Sequence, residues 1–72
     1  MEPLLYKGKH IEPNVHKLGD GSYSVAVNVL SDEGDSVGIQ EYYTEKTAAS
    51  LEEALRRAYS LGKSAIDQLE IG

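Results

Sequence analysis

The sequence predicts an α+β fold, a three-stranded antiparallel β-meander packed against one C-terminal helix (β-β-β-α), in a single domain over residues 1–72. Three observations carry this expectation. Apolar residues recur at helical spacing from Leu51 to Leu69, they alternate at period two from Ser22 to Leu30, and two Gly/Asp-rich turns flank that alternation.

The helix follows from its start signal and its stripe. Ser50-Leu51-Glu52-Glu53 fits a capping box, with Ser50 at the N-cap and Glu53 reaching back. Leu51, Ala54, Leu55, Ala58, Tyr59, Leu61, Ala65, Ile66 and Leu69 form one apolar stripe. Glu52–Arg56 and Glu53–Arg57 are i,i+4 pairs in the favourable order. Gly62 interrupts the stripe at a cost of about 1 kcal/mol relative to Ala, which implies close approach of the helix to the sheet.

Within the middle strand, Tyr23, Val25, Val27 and Val29 alternate with Ser24, Ala26 and Asn28. Gly19-Asp20-Gly21 before it is a hairpin signal, and Ser31 to Ser36 is a second turn. Val37 to Lys46 reads as the third strand. Val37, Ile39 and Tyr43 share a parity with Glu41, and a bulge or early exit would reconcile that acid with an apolar face. The first strand, Lys9 to Leu18, contains Pro13, which cannot donate to a ladder and places the strand at an edge.

Composition excludes several classes. Seventy-two residues hold one domain with a thin core. No Cys is present to add a disulfide or a thiolate metal site. No apolar run approaches the roughly 18–20 residues needed to span a bilayer, and Met1-Glu2-Pro3-Leu4-Leu5 lacks the features of a signal peptide. A cytoplasmic location without membrane association is the expectation.

The net charge is −5 and unevenly spread. From Leu18 through Glu45 there are six acids (Asp20, Asp32, Glu33, Asp35, Glu41, Glu45) and no Lys or Arg. Such a segment repels phosphate backbones and suits a cationic partner.

Candidate catalytic and metal sites fail on geometry. His10, Glu12 and His16 share one parity, yet two residues six apart on a strand are separated by about 20 Å. Asp32-Glu33-Gly34-Asp35 lacks the spaced ligands and terminal Glu of a calcium loop. Gly19-Asp20-Gly21 leads into a strand, whereas a phosphate loop needs a helix N-terminus behind it. With neither a Cys nucleophile nor a Ser–His pairing, no enzyme, cofactor or metal is expected.

Tyr42-Tyr43 is the feature that reaches beyond structure. Adjacent strand residues point to opposite faces, so one ring is expected under the helix and the other outside it. The expectation places Tyr42 outside, beside Ala26 and Leu30, as an apolar patch. The expected contact residues are therefore Glu41, Tyr42 and Glu45. The expected partners are a protein carrying positive charge and, through the uncovered face, a second copy in a homodimer. The competing expectation is nucleic-acid binding through Lys7, Lys9 and Lys17.

Four short motifs carry a resemblance. Tyr6-Lys7-Gly8-Lys9-His10-Ile11, Asp20-Gly21-Ser22-Tyr23-Ser24-Val25, Ser50-Leu51-Glu52-Glu53-Ala54 and Gly62-Lys63-Ser64-Ala65-Ile66-Asp67 resemble a group of small uncharacterised bacterial β-β-β-α proteins. That resemblance implies the fold and no activity. Glu52-Glu53-Ala54-Leu55 is also similar to the Glu-Glu-Ala-Leu helix of HicB-type antitoxin domains, which implies partner binding. The element order resembles double-stranded-RNA-binding domains too, but Ser50-Leu51-Glu52-Glu53 stands where those carry a Lys-rich helix start.

Overall fold

A helix laid across one face of a twisted antiparallel sheet leaves the other face bare, and this chain takes that arrangement. The computed structural model describes residues 4–32 and 34–71, with the side chains of 70 and 71 outside the description. The elements are β1 (Leu4–Tyr6), β2 (Lys9–Lys17), β3 (Tyr23–Asp32), β4 (Val37–Ala48) and α1 (Leu51–Ile71). The sheet therefore has four strands in the order β1-β2-β3-β4, all antiparallel, where the sequence predicted three.

The additional strand is set by its turn. Lys7 and Gly8 both have positive φ, 50° and 80°, and join Tyr6 to its cross-strand partner Lys9. Two central residues with φ > 0 make the type I′ hairpin, whose twist matches that of the flanking strands. The next hairpin uses Gly21, at φ 90°, after a turn closed by Gly21 N donating to the Leu18 carbonyl. Asp20 Oδ1 accepts from the Ser22 amide at 2.9 Å and the Ser22 hydroxyl at 2.6 Å, fixing the loop.

Pro13 occupies the position its chemistry requires, although β2 as a whole is not an edge. β1 pairs with β2 as far as Ile11, so the outer side of β2 is uncovered from Glu12 onward among the described residues. The missing N–H of Pro13 thus lies on an unpaired stretch.

The core sits between α1 and β2–β3. Ile11, Val25, Val27, Val29, Ala48, Ala54, Ala58 and Ile66 are buried, with Leu4, Tyr6, Val15, Tyr23, Tyr42, Tyr59 and Leu61 packed around them. Gly62 is buried directly over Ile11, the close approach that the sequence predicted. At the helix start the Glu53 amide donates to Ser50 Oγ, while Glu53 Oε2 accepts from the Ala49 amide. A second clasp joins the β1–β2 turn to the far end of the helix. Tyr6 Oη donates to Asp67 Oδ1 at 3.0 Å and Lys7 Nζ reaches the same oxygen at 2.7 Å. Lys7 and Lys63 both stand over the Tyr6 ring. No helix among the described residues is long and apolar enough to cross a membrane.

Candidate interaction surface

Strand register decides which side chains reach the bare face. Val27 is buried under the helix and pairs with Tyr42, while Ala26 pairs with Tyr43. Cross-strand partners share a face, so Tyr42 packs toward the helix and Tyr43 stands outside, 74% exposed. The expected orientation of the tyrosine pair is reversed. Glu41 needs no bulge either, because its parity, with Val37 and Ile39, is the outward one. The irregularity in β4 lies later, opposite Tyr23 and Val25.

The bare face is built in rows. Leu5, His10, Leu30 and Ile39 are successive cross-strand partners and cross all four strands. The next row is Glu12, Asn28 and Glu41, and the one after it Asn14, Ala26 and Tyr43. Asp32 pairs with Val37 at one end, and Glu45 follows Tyr43 at the same parity at the other. Val37 and Ile39 are 60% and 64% exposed. Exposed apolar groups grouped in this way mark contact surfaces more than scattered single residues do.

Charge is segregated between the two layers. The bare face holds the carboxylates of Glu12, Asp32, Glu41 and Glu45. All seven Lys and Arg side chains of the chain belong to the helix side. Lys9 and Lys17 pair with Tyr6 and Tyr23, which pack on the core, and Lys7 is bound to the helical Asp67. Lys46 lines a shallow groove of about 470 Å³ between β4 and α1 with Thr44, Arg57, Ser60, Leu61 and Ser64. Arg56, Arg57 and Lys63 are on the helix itself.

The expected contact residues thus divide. Glu41 and Glu45 are exposed on the bare face, and Tyr42 is half-buried on the opposite one, its hydroxyl donating to Gln40 Oε1 at 2.6 Å. Tyr43, Ile39, Val37 and Glu12 also stand on this surface and were not among the expected contact residues. The alternation of Val37, Ile39, Glu41, Tyr43 and Glu45 was visible, but its direction needed the partner strand. Lys7, Lys9 and Lys17 do not converge: Lys9 and Lys17 stand at opposite ends of β2, about 26 Å apart on an extended strand.

Three carboxyls are held below their ordinary pKa. Lys7 and then Tyr6 hydrogen-bond Asp67, the Ala49 amide and then Arg57 act on Glu53, and Ser22 acts on Asp20. These groups fasten turns and helix ends and lie away from the bare face. His10, Glu12 and His16 do reach the bare face, spread along β2, and among the described residues no three His, Asp or Glu side chains gather as a metal site. Comparison with protein-family models, curated proteins and solved structures finds no match.

Proposed function

We propose that the chain is a non-catalytic protein-interaction module whose bare sheet face binds a partner presenting Lys or Arg around apolar side chains. The observation that carries this reading is the separation of charge. Four carboxylates and no Lys or Arg share a face with Leu5, Leu30, Val37, Ile39 and Tyr43. Apolar contact supplies affinity once water is excluded, and complementary charge steers the encounter and rejects acidic partners. A HicB-type role, that of an antitoxin-like partner-binding domain, is one instance of this reading. Nucleic acid is disfavoured, because its phosphates would meet carboxylates on this face, and of the three lysines expected to bind it Lys17 stands at the far end of β2 from Lys9.

The test is titration with a basic amphipathic peptide of alternating Lys and Leu. The Glu41→Lys, Glu45→Lys double variant should lose binding by at least about tenfold, since like charges placed face to face cost several kcal/mol. Lys9→Glu with Lys17→Glu, on the other side, should leave binding unchanged. Loss from the first pair matched by a gain of similar size from the second would leave only net charge as the cause, and equal loss from both would discard the face.

A further inference from the structure

We infer that two copies of the chain pair through the outer edge of β4, antiparallel about a two-fold axis at Gln40, into one continuous eight-stranded sheet. The inference stands independently of what the bare face binds. It starts from the two unpaired edges of the sheet.

An unpaired strand edge is a template for another strand, and proteins blunt such edges with proline, charge or bulges. The open stretch of β2 carries Pro13. β4 spans twelve residues without a proline. Most of its blunting devices are gathered at the far end: Glu45, Lys46, the irregular register, and Arg57 Nη1 bonded to the Thr47 carbonyl; Glu41 is the one charge before them. From Val37 to Tyr43 the strand is regular and its outer side is unpaired among the described residues.

Register follows from side-chain complementarity. Opposed residues of an antiparallel pair share a face, so the two-fold passes through a residue opposed to its own copy. At Gln40, Val37 faces Tyr43 of the second copy, Gly38 faces its Tyr42, and Ile39 faces its Glu41. The exposed apolar groups Val37, Ile39 and Tyr43 of both copies then form one cluster, with Ile39 diagonal to its own mate. The Tyr42 ring covers the vacant side of Gly38, an aromatic–glycine pairing known to stabilise edges. Other registers are poorer. An axis at Glu41 sets that acid against itself, one at Tyr43 sets Glu41 against Glu45, and one at Tyr42 sets Ile39 against Glu45. An axis at Ile39 pairs Val37 with Glu41, no better than the Ile39–Glu41 pair of the Gln40 axis, and shortens the ladder.

Pairing of this kind closes on itself. A two-fold contact consumes both copies of the unblunted edge, and the edges left outside are the short β1 and the Pro13 stretch. The assembly stops at two.

Oxidative cross-linking reads the register directly, because the native chain has no Cys. Directly opposed residues have Cα atoms about 4.5–5.5 Å apart, within the range a disulfide spans. Gln40→Cys should form a disulfide-linked dimer, and Glu12→Cys, on the Pro13 edge, should remain monomeric under the same oxidant. In sedimentation up to about 1 mM, the weak end of measurable affinities, the unmodified chain should show a monomer–dimer equilibrium. Ile39→Asp, folded as judged by circular dichroism, should weaken it at least about tenfold by facing Glu41 of the second copy. A monomer at every concentration, a larger assembly, or Glu12→Cys cross-linking as readily as Gln40→Cys would overturn the inference.

Discussion

Gly62 of the helix lies directly over Ile11 of β2, so close that a β-carbon at Gly62 would stand 2.6 Å from Ile11 Cγ2. Ile11 is fully buried and β-branched, so its χ1 is restricted and its Cγ2 sits next to the backbone, where it cannot swing aside cheaply. On an exposed helix, Gly→Ala would gain about 1 kcal/mol. Here overpacking of about 1–3 kcal/mol opposes that gain. Gly62→Ala is therefore expected to destabilise the protein, read as a lower urea midpoint. Combined with Ile11→Ala, the loss should be less than additive, because the two sites share one contact. A stabilised Gly62→Ala would show that helix and sheet stand further apart.

The Lys7–Gly8 turn gives a second expectation. Gly8 has φ 80° and open space around its α-carbon, so the cost of Gly8→Ala is purely conformational, about 1–2 kcal/mol. β1 has three residues and depends on this turn to pair. Hydrogen exchange at the Tyr6 amide, which faces Lys9 in the hydrogen-bonded pair beside the turn, should accelerate well beyond that at Val27. Uniform acceleration across the sheet would mean that β1 unfolds with the core as one unit.

Asp67 gives the pH dependence. Its hydrogen bond from Lys7, and then that from Tyr6, hold its carboxyl below the ordinary value of 3.8. A depressed folded pKa means that the unfolded chain binds the proton first as pH falls. The contribution is fully present above the unfolded value and is lost as pH falls through the folded one. Asp20 and Glu53, lowered by Ser22 and by the Ala49 amide, act in the same direction. Stability should thus decline from about pH 5 downward, and Asp67→Asn should lower stability at neutral pH while flattening that decline. An unchanged acid profile in Asp67→Asn would detach the clasp from the pH response.

The helix was legible because nineteen residues of one period, begun by Ser50 and Glu53, leave little freedom of interpretation. Its cap differs in detail, since Glu53 takes the Ala49 amide in place of that of Ser50. β1 was not legible: three residues have no period, and its turn is Lys-Gly, without the Asn or Asp that usually signals a type I′ hairpin. Two of the four carboxylates of the bare face, Glu41 and Glu45, were legible as contact residues. The tyrosines were misassigned for a physical reason. β4 lies at the margin of the helix, so its helix-side residues are Gly38, Gln40, Tyr42, Thr44 and Lys46. The more apolar parity of that strand is thus the exposed one, and only pairing with Val27 identifies Tyr42 as the inner ring.

That division between neighbouring tyrosines can be measured. Tyr42 is half-buried against the core and accounts for part of its packing, so Tyr42→Ala should cost about 1–3 kcal/mol, less than the 3–5 typical of a fully buried aromatic. Tyr43 rests on open sheet, and Tyr43→Ala should change stability by no more than about 0.5 kcal/mol. Binding of the Lys/Leu peptide should respond in the opposite order. Loss of Tyr43 removes an exposed ring at the proposed contact, and aromatic anchors dominate such contacts, whereas loss of Tyr42 acts there only through the fold. Urea titrations and peptide affinities on both variants give a two-by-two comparison. If Tyr43→Ala proved the more destabilising and Tyr42→Ala the more damaging to binding, the register that puts Val27 opposite Tyr42 would be wrong, and the charge-segregated face would fall with it.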